Sequence, residues 1–145
     1  MSATIGNPLQ ISEVVPDITQ PFIRYFDLDL DTRNLTIYLS KIVTVSSIQL
    51  NSIVMWSEKV SGATTDVLEL SSTNSFVLTT KNSPVVEIYL NLSAFINLKS
   101  FKDLAKSVIK TWITATTTFV YDTAPIPNPL FPIPTSAALM VREFR

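Results

Sequence analysis

Three aspartates at alternate positions, Asp27, Asp29 and Asp31, form the densest group of potential metal ligands in the sequence. Carboxylate oxygens are the ligands that Ca²⁺ prefers. Residues two apart on one face of a strand are separated by about 6.5–7 Å. Carboxylates that share one Ca²⁺ must each place an oxygen within about 2.3–2.6 Å of it. We therefore predict no metal site here and interpret the aspartates as a charged outer face that discourages edge-to-edge pairing of sheets.

Catalysis would have to rest on carboxylates, lysines or hydroxyls, because the chain contains no Cys and no His. This composition excludes disulfides, thiol nucleophiles and Cys/His zinc sites. The best candidates for paired acid–base carboxylates are Asp17 with Asp122 and Glu58 with Asp66. Nothing in the spacing places either pair together. With only two glycines, a Gly-rich phosphate-binding loop is also excluded. We expect no enzymatic activity, no catalytic residue and no cofactor.

Two sequons mark candidate N-glycosylation sites. They are Asn34-Leu35-Thr36 and Asn91-Leu92-Ser93. Asn34 follows a predicted turn and Asn91 precedes a predicted helix, so both are expected at the surface. A chain so rich in Ser and Thr contains this many sequons by chance, so their presence alone does not predict attached glycans.

Charge and hydropathy exclude two classes of partner. The formal net charge is −1, which provides no electrostatic footprint for nucleic acid. The hydrophobic fraction is 46% and the charged fraction 16%, values typical of a globular rather than a disordered chain. No apolar run approaches the length of about 20 residues that a membrane span needs. We expect no nucleic-acid partner and no membrane insertion.

The elements that position these residues are predicted to be mostly strands. Phe22 to Val43 shows two alternating apolar runs around a short polar turn, which predicts a β-hairpin with one wet face. Ser93 to Lys110 has apolar residues every three or four positions and predicts the one helical stretch. Ser100 followed by Asp103 resembles a capping pair, which leaves two short helical turns as the alternative. The further strand candidates are Ile48–Trp56, Val67–Leu70, Phe76–Thr79, Val85–Leu90 and Trp112–Tyr121.

About seven or eight strands with one short helical insertion predict an all-β fold, an immunoglobulin-like antiparallel β-sandwich. Five prolines between Pro125 and Pro134 predict a stiff, extended connector before the last strand. We divide the chain into residues 1–21, an N-terminal strand and linker, and residues 22–145, the sandwich domain.

The chain begins and ends on similar segments, Leu9–Val14 (LQISEV) and Leu139–Phe144 (LMVREF). Set in register, they pair Leu9 with Leu139, Ile11 with Val141 and Val14 with Phe144. Apolar residues at the first and third positions suit a half-buried strand in both segments. A chance resemblance between two short amphipathic strands is the alternative to a repeated structural role.

Several longer stretches resemble a known type of domain. They are FDLDLDTRNLTIYLSKIVTVSSIQLNSIVM, SGATT, LNLSAFINLKSFKDLAKSV and FVYDTAPIPNP. Together they resemble an immunoglobulin-like repeat found in tandem in very large surface and fibre proteins of aquatic microbes. The resemblance spans about Val15 to Phe144. It implies a structural role, an extracellular or cell-surface location, attached glycans and no catalytic residues.

The chain departs from the pattern of these repeats at three places. Arg33 stands where the hairpin turn usually has glycine, and arginine tolerates a positive φ poorly. Lys41 replaces an acidic residue after the second hairpin strand. The proline run replaces a glycine-containing turn after Asp122. The proline run also predicts a last strand that is held away from its own domain.

We hypothesise a structural subunit of a filament or tandem surface array that assembles head-to-tail by exchange of a terminal strand. The partner would be another copy of the chain or a neighbouring repeat. The candidate interface residues are Leu9, Ile11, Val14, Leu139, Val141 and Phe144.

Two other functions stay open. One is an adhesin or carbohydrate-binding module that uses Trp56, Tyr38 and Trp112, for which solvent-facing aromatic rings on one sheet are the discriminating observation. The other is a viral or phage fibre domain, which the sequence neither supports nor excludes.

Overall fold

The computed structural model describes residues 17–59 and 65–145. The segment Leu9–Val14 and the loop residues 60–64 lie outside these ranges, so the predictions that fall on Leu9, Ile11 and Val14 have no structural counterpart here.

The predicted hairpin is confirmed. Strand β1 (Ile23–Asp29) pairs antiparallel with β2 (Asn34–Val43). Apolar side chains at alternate positions of both strands are buried, and the intervening side chains are half-buried or exposed. This alternation follows from the period of two along a strand. It gives the hairpin one face that packs in the core and one face that is turned to solvent.

An arginine occupies the left-handed position of the hairpin turn. Arg33 has φ 62°. Glycine is favoured in this left-handed conformation because glycine has no Cβ. The guanidinium of Arg33 donates a hydrogen bond to the hydroxyl of Tyr89 and lies 5.1 Å from the centre of that ring. It also lies 5.5 Å from the centre of the Phe95 ring. These cation–π contacts offset part of the backbone strain.

Nine strands in the described ranges form two sheets. The five-stranded sheet has the order β5-β6-β2-β1-β9, and the four-stranded sheet has the order β4-β3-β7-β8. The pairing of β1 with β9 is parallel, and the other strand pairings are antiparallel. The remaining strands are β3 (Ile53–Trp56), β4 (Val67–Glu69), β5 (Ser75–Val77), β6 (Ser83–Leu90), β7 (Trp112–Ala115), β8 (Leu139–Met140) and β9 (Glu143–Phe144).

The predicted helical stretch divides into two parts. Helix α1 runs from Leu92 to Ser100, and a single 3₁₀ turn follows at Val108–Lys110. The side chain of Asn91 accepts a hydrogen bond from the backbone N–H of Ala94 and caps the helix. The chain therefore adopts two separate helical segments, but the predicted capping pair is wrong. The hydroxyl of Ser100 donates to the carbonyl of Asn97, and the second segment begins only at Val108.

The core lies between the two sheets. One continuous cluster of buried apolar side chains contains residues from both sheets and from α1, including Phe26, Met55, Ile88, Leu98 and Phe119. The predicted fold class, an all-β sandwich with a short helix, is confirmed. The strand count is higher than predicted because the last segment contributes two short strands rather than one.

Two predicted strands are shorter than their apolar patterns. Residues Leu50–Ser52 form a 3₁₀ turn, so the strand predicted from Ile48 begins at Ile53. Strand β7 ends at Ala115 because the N–H of Phe119 bonds to the carbonyl of Thr116. That turn carries the fully buried Phe119 into the core, so burial of a large side chain outweighs the β propensity of the threonines.

Candidate subunit interface at the ends of the chain

The closing segment of the chain joins the two sheets. Leu139 and Met140 pair with Ile113 and Trp112 in the four-stranded sheet. After Val141 the chain crosses to the five-stranded sheet, where Glu143 and Phe144 lie parallel to β1. The segment is thus a strand of one sheet at its start and an edge strand of the other sheet at its end.

Backbone hydrogen bonds hold this crossing along its whole length. The N–H of Val141 donates to the carbonyl of Thr111 at 2.9 Å, and the N–H of Arg142 to that of Phe26 at 2.8 Å. The N–H of Arg145 donates to Leu28 at 2.9 Å. The acceptors are Thr111, which directly precedes β7, and Phe26 and Leu28 of β1, so the segment completes the edge of the sandwich to which it belongs.

The structure places three of the predicted interface residues in their own domain. Val141 is buried in the core at 2% exposure, and the half-buried Leu139 and Phe144 pack against that core. The expectation that the proline run holds the last strand away from its own domain is therefore wrong. The connector instead returns to the sandwich, where Ile133 and Ala115 exchange two backbone hydrogen bonds.

Arg142 fixes the closing segment on the outer face of the five-stranded sheet. Its guanidinium donates to both carboxylate oxygens of Asp27, at 3.0 and 2.6 Å. It also lies 4.0 Å from the centre of the Tyr25 ring and 5.0 Å from that of Tyr38. The hydrogen bonds to Asp27 raise the pKa of Arg142 above its ordinary value, so the cation is permanent.

A cluster of charged side chains joins the first described residues to the proline-rich connector. The Nζ of Lys41 lies 2.7 Å from Oδ2 of Asp122 and also contacts the carboxylate of Asp17. Lys41 further donates to the carbonyl of Thr19 at 2.8 Å. The side-chain amide of Asn128 donates to the carbonyl of Asp17 and to Asp122. The cluster therefore fixes Asp17, the first described residue, to the sandwich.

Asp122 is an ionised carboxylate at the centre of this cluster, although only 1% of its side chain is exposed. Burial acts to raise the pKa of Asp122. Hydrogen bonds from the backbone amide of Asn128, from Lys41 and from the Asn128 side chain outweigh that effect and lower the pKa to about 2. The hydrogen bond from Lys41 also lowers the pKa of Asp17, and the hydrogen bonds to Asp122 and Asp17 raise the pKa of Lys41.

The two carboxylate pairs that the sequence singled out have different outcomes in the structure. Asp17 and Asp122 are brought together, with the ammonium group of Lys41 between them as a shared partner. Glu58 instead pairs with Lys110 at 3.1 Å. Asp66 accepts hydrogen bonds from the backbone N–H groups of Asp103 and Leu104. These partners give the four carboxylates structural roles.

The alternating aspartates of the hairpin are also engaged in structure. Asp27 binds Arg142, and Oδ1 of Asp29 accepts from the N–H groups of Asp31 and Thr32 in the turn. Within residues 17–59 and 65–145, no group of three or more His, Cys, Asp or Glu side chains is arranged to hold a metal ion. In the same ranges, no helix is long and apolar enough to cross a bilayer.

An open apolar groove of about 540 Å³ lies beside the first residues of β1. Thr19 and Gln20 also line it, so the groove lies close to the first described residues of the chain. Phe22 is 50% exposed and Phe131 is 59% exposed. The apolar residues that line the groove are Phe22, Ile23, Phe131, Pro132, Ile133 and Ala137.

The two sequon asparagines occupy different settings. Asn34 is half-buried at the start of β2 and lines a shallow depression on the outer face of the five-stranded sheet, together with Tyr38 and Arg142. Asn91 is half-buried as well, and its side-chain amide donates to the carbonyl of Thr73 at 2.9 Å while its oxygen caps α1.

Two of the three candidate carbohydrate-binding aromatics are neighbours. Trp56 and Trp112 are cross-strand partners in the four-stranded sheet. Both are half-buried, and their indole N–H groups donate to Thr114 Oγ1 and to the carbonyl of Ile109. Tyr38 lies in the other sheet, where its ring centre is 4.7 Å from that of Tyr25.

No protein-family model, no curated protein sequence and no solved structure matches this chain.

Sequence reasoning missed the Lys41 cluster, the Asp27–Arg142 pair and the groove. Lys41 was noted only as a departure from the repeat pattern, and its partners are distant along the chain. Nothing in local spacing connects Asp27 with Arg142, because their contact depends on the parallel register of β1 and β9.

Proposed function

We propose that this chain is a structural subunit of an extracellular filament or tandem surface array, assembled head-to-tail through its N-terminal strand. The observation that carries the proposal is the repetition of the closing segment, Leu139–Phe144, near the start of the chain as Leu9–Val14. The partner is a second copy of the chain or a neighbouring repeat. No catalytic step, cofactor or metal is part of the proposal.

The position of the closing segment in the fold supports a strand-exchange role for the similar segment Leu9–Val14. Leu139, Val141 and Phe144 contact the core of a sandwich edge that takes strands of this composition. Leu9, Ile11 and Val14 offer the same apolar pattern. Full burial of each such side chain contributes about 1.5–3 kcal/mol before the entropic cost of association. Backbone hydrogen bonds supply the remaining affinity when a strand is added to an edge.

Head-to-tail growth is the geometry expected of such a strand exchange. A strand that leaves one copy and binds a different surface on the next makes a heterologous contact, which propagates unless rotation closes a ring. The Lys41 cluster holds Asp17, the first described residue, against the sandwich. Glycans at Asn34 and Asn91 would then decorate the surface of the assembly.

Deletion of residues 1–15 tests the proposal. We expect the full chain to form long particles in electron microscopy and the deleted chain to remain monomeric in sedimentation. Deletion of residues 1–7 is the matched control, because it shortens the terminus but leaves Leu9–Val14 in place. Long filaments from the chain that lacks residues 1–15 would overturn the proposal.

A carbohydrate-binding module is the second candidate, favoured by the adjacent Trp56 and Trp112 on the four-stranded sheet. Aromatic side chains at facing positions of adjacent strands can provide apolar surface for the C–H face of a sugar. Titration of the chain with oligosaccharides, followed by tryptophan fluorescence, tests this function. A saturable change that is lost in Trp56→Ala and Trp112→Ala would favour it, and an unchanged spectrum at millimolar sugar would exclude it.

A further inference from the structure

We propose that the apolar groove between Phe22 and Phe131 is the acceptor site for residues Leu9–Val14 of a second copy of the chain. This inference rests on the proposed head-to-tail assembly and names the surface that receives the donated strand.

The groove has the properties of an incomplete binding surface. Its volume of about 540 Å³ lies within the range that occupied pockets have in proteins. No charged side chain lines it. Two aromatic side chains at its walls, Phe22 and Phe131, are at least half exposed, and such surface is removed from water when a partner binds.

The groove also lies beside an open sheet edge. Strand β9 pairs with β1 only at Asp27 and Leu28. Before those residues, the N–H of Phe131 donates to the carbonyl of Pro21 at 2.8 Å. The carbonyl of Phe26 already accepts from Arg142, so the part of this edge that no described strand pairs with is the short stretch Ile23–Tyr25. An added strand would therefore find backbone groups as well as apolar side chains.

The segment Leu9–Val14 fits this site in length and pattern. Six extended residues span about 20 Å, more than the open stretch Ile23–Tyr25 needs, so the segment would cover that stretch and extend over the groove. Leu9 and Ile11 share one strand face, while Gln10 and Ser12 face the other way. Glu143 and Phe144, the last residues of the similar segment Leu139–Phe144, occupy the adjoining part of the same edge in the folded chain. The two segments would thus lie at successive positions along one edge.

The occupant is assigned to a second copy because the proposed assembly is head-to-tail. Thr19 and Gln20 line the groove of their own chain, and Lys41 ties Asp17 to the sandwich. A pair of cysteines within one chain distinguishes this arrangement from one in which the segment occupies the groove of its own chain.

Engineered cysteines test the site in the full chain, which has no cysteine of its own. One copy carries Ile11→Cys, the other carries Ala137→Cys, and the two are mixed under oxidising conditions. We expect a disulfide-linked heterodimer as the main product. Ser72→Cys, an exposed position outside the groove, is the matched control and should give little product.

Charge placed in the groove provides an independent measurement. Phe131→Asp and Phe22→Asp each put a carboxylate where the proposed strand would bury apolar side chains. We expect each to weaken self-association by at least about tenfold in sedimentation, with an unchanged circular dichroism spectrum. If either variant fails to fold, the cross-linking result still decides the question.

The possible results distinguish failure of the proposed acceptor site from failure of the proposed assembly. In one outcome, deletion of residues 1–15 abolishes filaments, the groove variants assemble normally, and the groove cysteine cross-links no better than the control. The proposed acceptor site is then wrong, whereas the proposed function stands. If one chain carrying both Ile11→Cys and Ala137→Cys links mainly to itself at high dilution, the strand binds its own groove and the inference is overturned. Filaments that survive the deletion overturn both proposals.

Discussion

The guanidinium of Arg142, three residues from the end of the sequence, donates two hydrogen bonds to the carboxylate of Asp27 in the first strand. The same side chain covers the rings of Tyr25 and Tyr38. The contact joins β1 to the parallel strand β9 and fixes their register. Because it combines planar, bidentate pairing with stacking, it depends on arginine specifically and not on positive charge alone.

Replacement of Arg142 tests whether this pair holds the closing segment. We expect Arg142→Lys to lower the denaturant midpoint of unfolding, because a lysine cannot reproduce the two parallel hydrogen bonds or the stacked guanidinium. Arg145→Lys is the control, since Arg145 is more exposed and lies 3.7 Å from Glu143. Equal midpoints for the two variants would show that the Asp27–Arg142 geometry is not important for stability.

Truncation of Val141 tests the packing of the closing segment on its own domain. We expect Val141→Ala to lower the free energy of unfolding by about 1–3 kcal/mol, through lost burial and a residual cavity. The measurement is urea denaturation at a concentration too low for assembly. Met140→Ala, at a side chain that is 38% exposed, should have a smaller effect. No difference between the variants would mean that the segment is not packed in the isolated chain.

Acid should weaken the Lys41 cluster through Asp122. The pKa of Asp122 is lowered to about 2 in the folded chain, so its ionised form stabilises the fold by about 2 kcal/mol above the ordinary pKa of an aspartate. That stabilisation is lost as the pH falls from about 4 towards 2. Thermal unfolding at a series of pH values should show this loss in the natural chain and a weaker dependence in Asp122→Asn. Parallel curves for the two chains would contradict it.

The positive φ of Arg33 predicts an order among substitutions. Arg33→Gly and Arg33→Ala both remove the contacts with Tyr89 and Phe95, but only glycine adopts the left-handed conformation without strain. We therefore expect Arg33→Ala to be less stable than Arg33→Gly by about 1 kcal/mol, as measured by denaturant unfolding. The reverse order would show that the turn changes conformation on substitution.

Asn91 is both a sequon residue and a helix cap, and the two roles can be separated in unglycosylated protein. We expect Asn91→Ala to destabilise the chain by about 1 kcal/mol, because the N–H of Ala94 loses its acceptor. Asn91→Asp retains the acceptor and should be closer to the natural chain. Mass measurement of protein from a glycosylating host then reports occupancy at Asn34 and Asn91 directly.

Local patterns were sufficient for the hairpin and the helix. The alternation from Phe26 to Leu39 defines both a strand period and a core face, and it places the turn between two runs that must pair. The apolar spacing after Asn91 predicts a helix, although its end at Ser100 depends on the packing of the residues that follow. These elements are determined by neighbours in sequence, which is why sequence reasoning finds them.

The ends of strands were harder to predict because distant partners decide them. Thr116, Thr117 and Thr118 favour a strand by type, yet the buried Phe119 turns the chain there. The proline connector was expected to project the last strand, but backbone bonds between Ile133 and Ala115 return it to the sandwich. Such pairings join residues far apart in sequence, and local propensity carries no information about them.

The repeated segment Leu9–Val14 and Leu139–Phe144 shows what the sequence by itself determined: the all-β class, the apolar alternation of both segments and the absence of thiol and imidazole chemistry. Only the tertiary structure decided that the closing copy belongs to its own sandwich, that Lys41 joins Asp17 to Asp122, and that an apolar groove remains open beside β1. Periodicity specifies which face of a strand is buried, whereas the identity of the neighbouring strand depends on the packing of the whole chain.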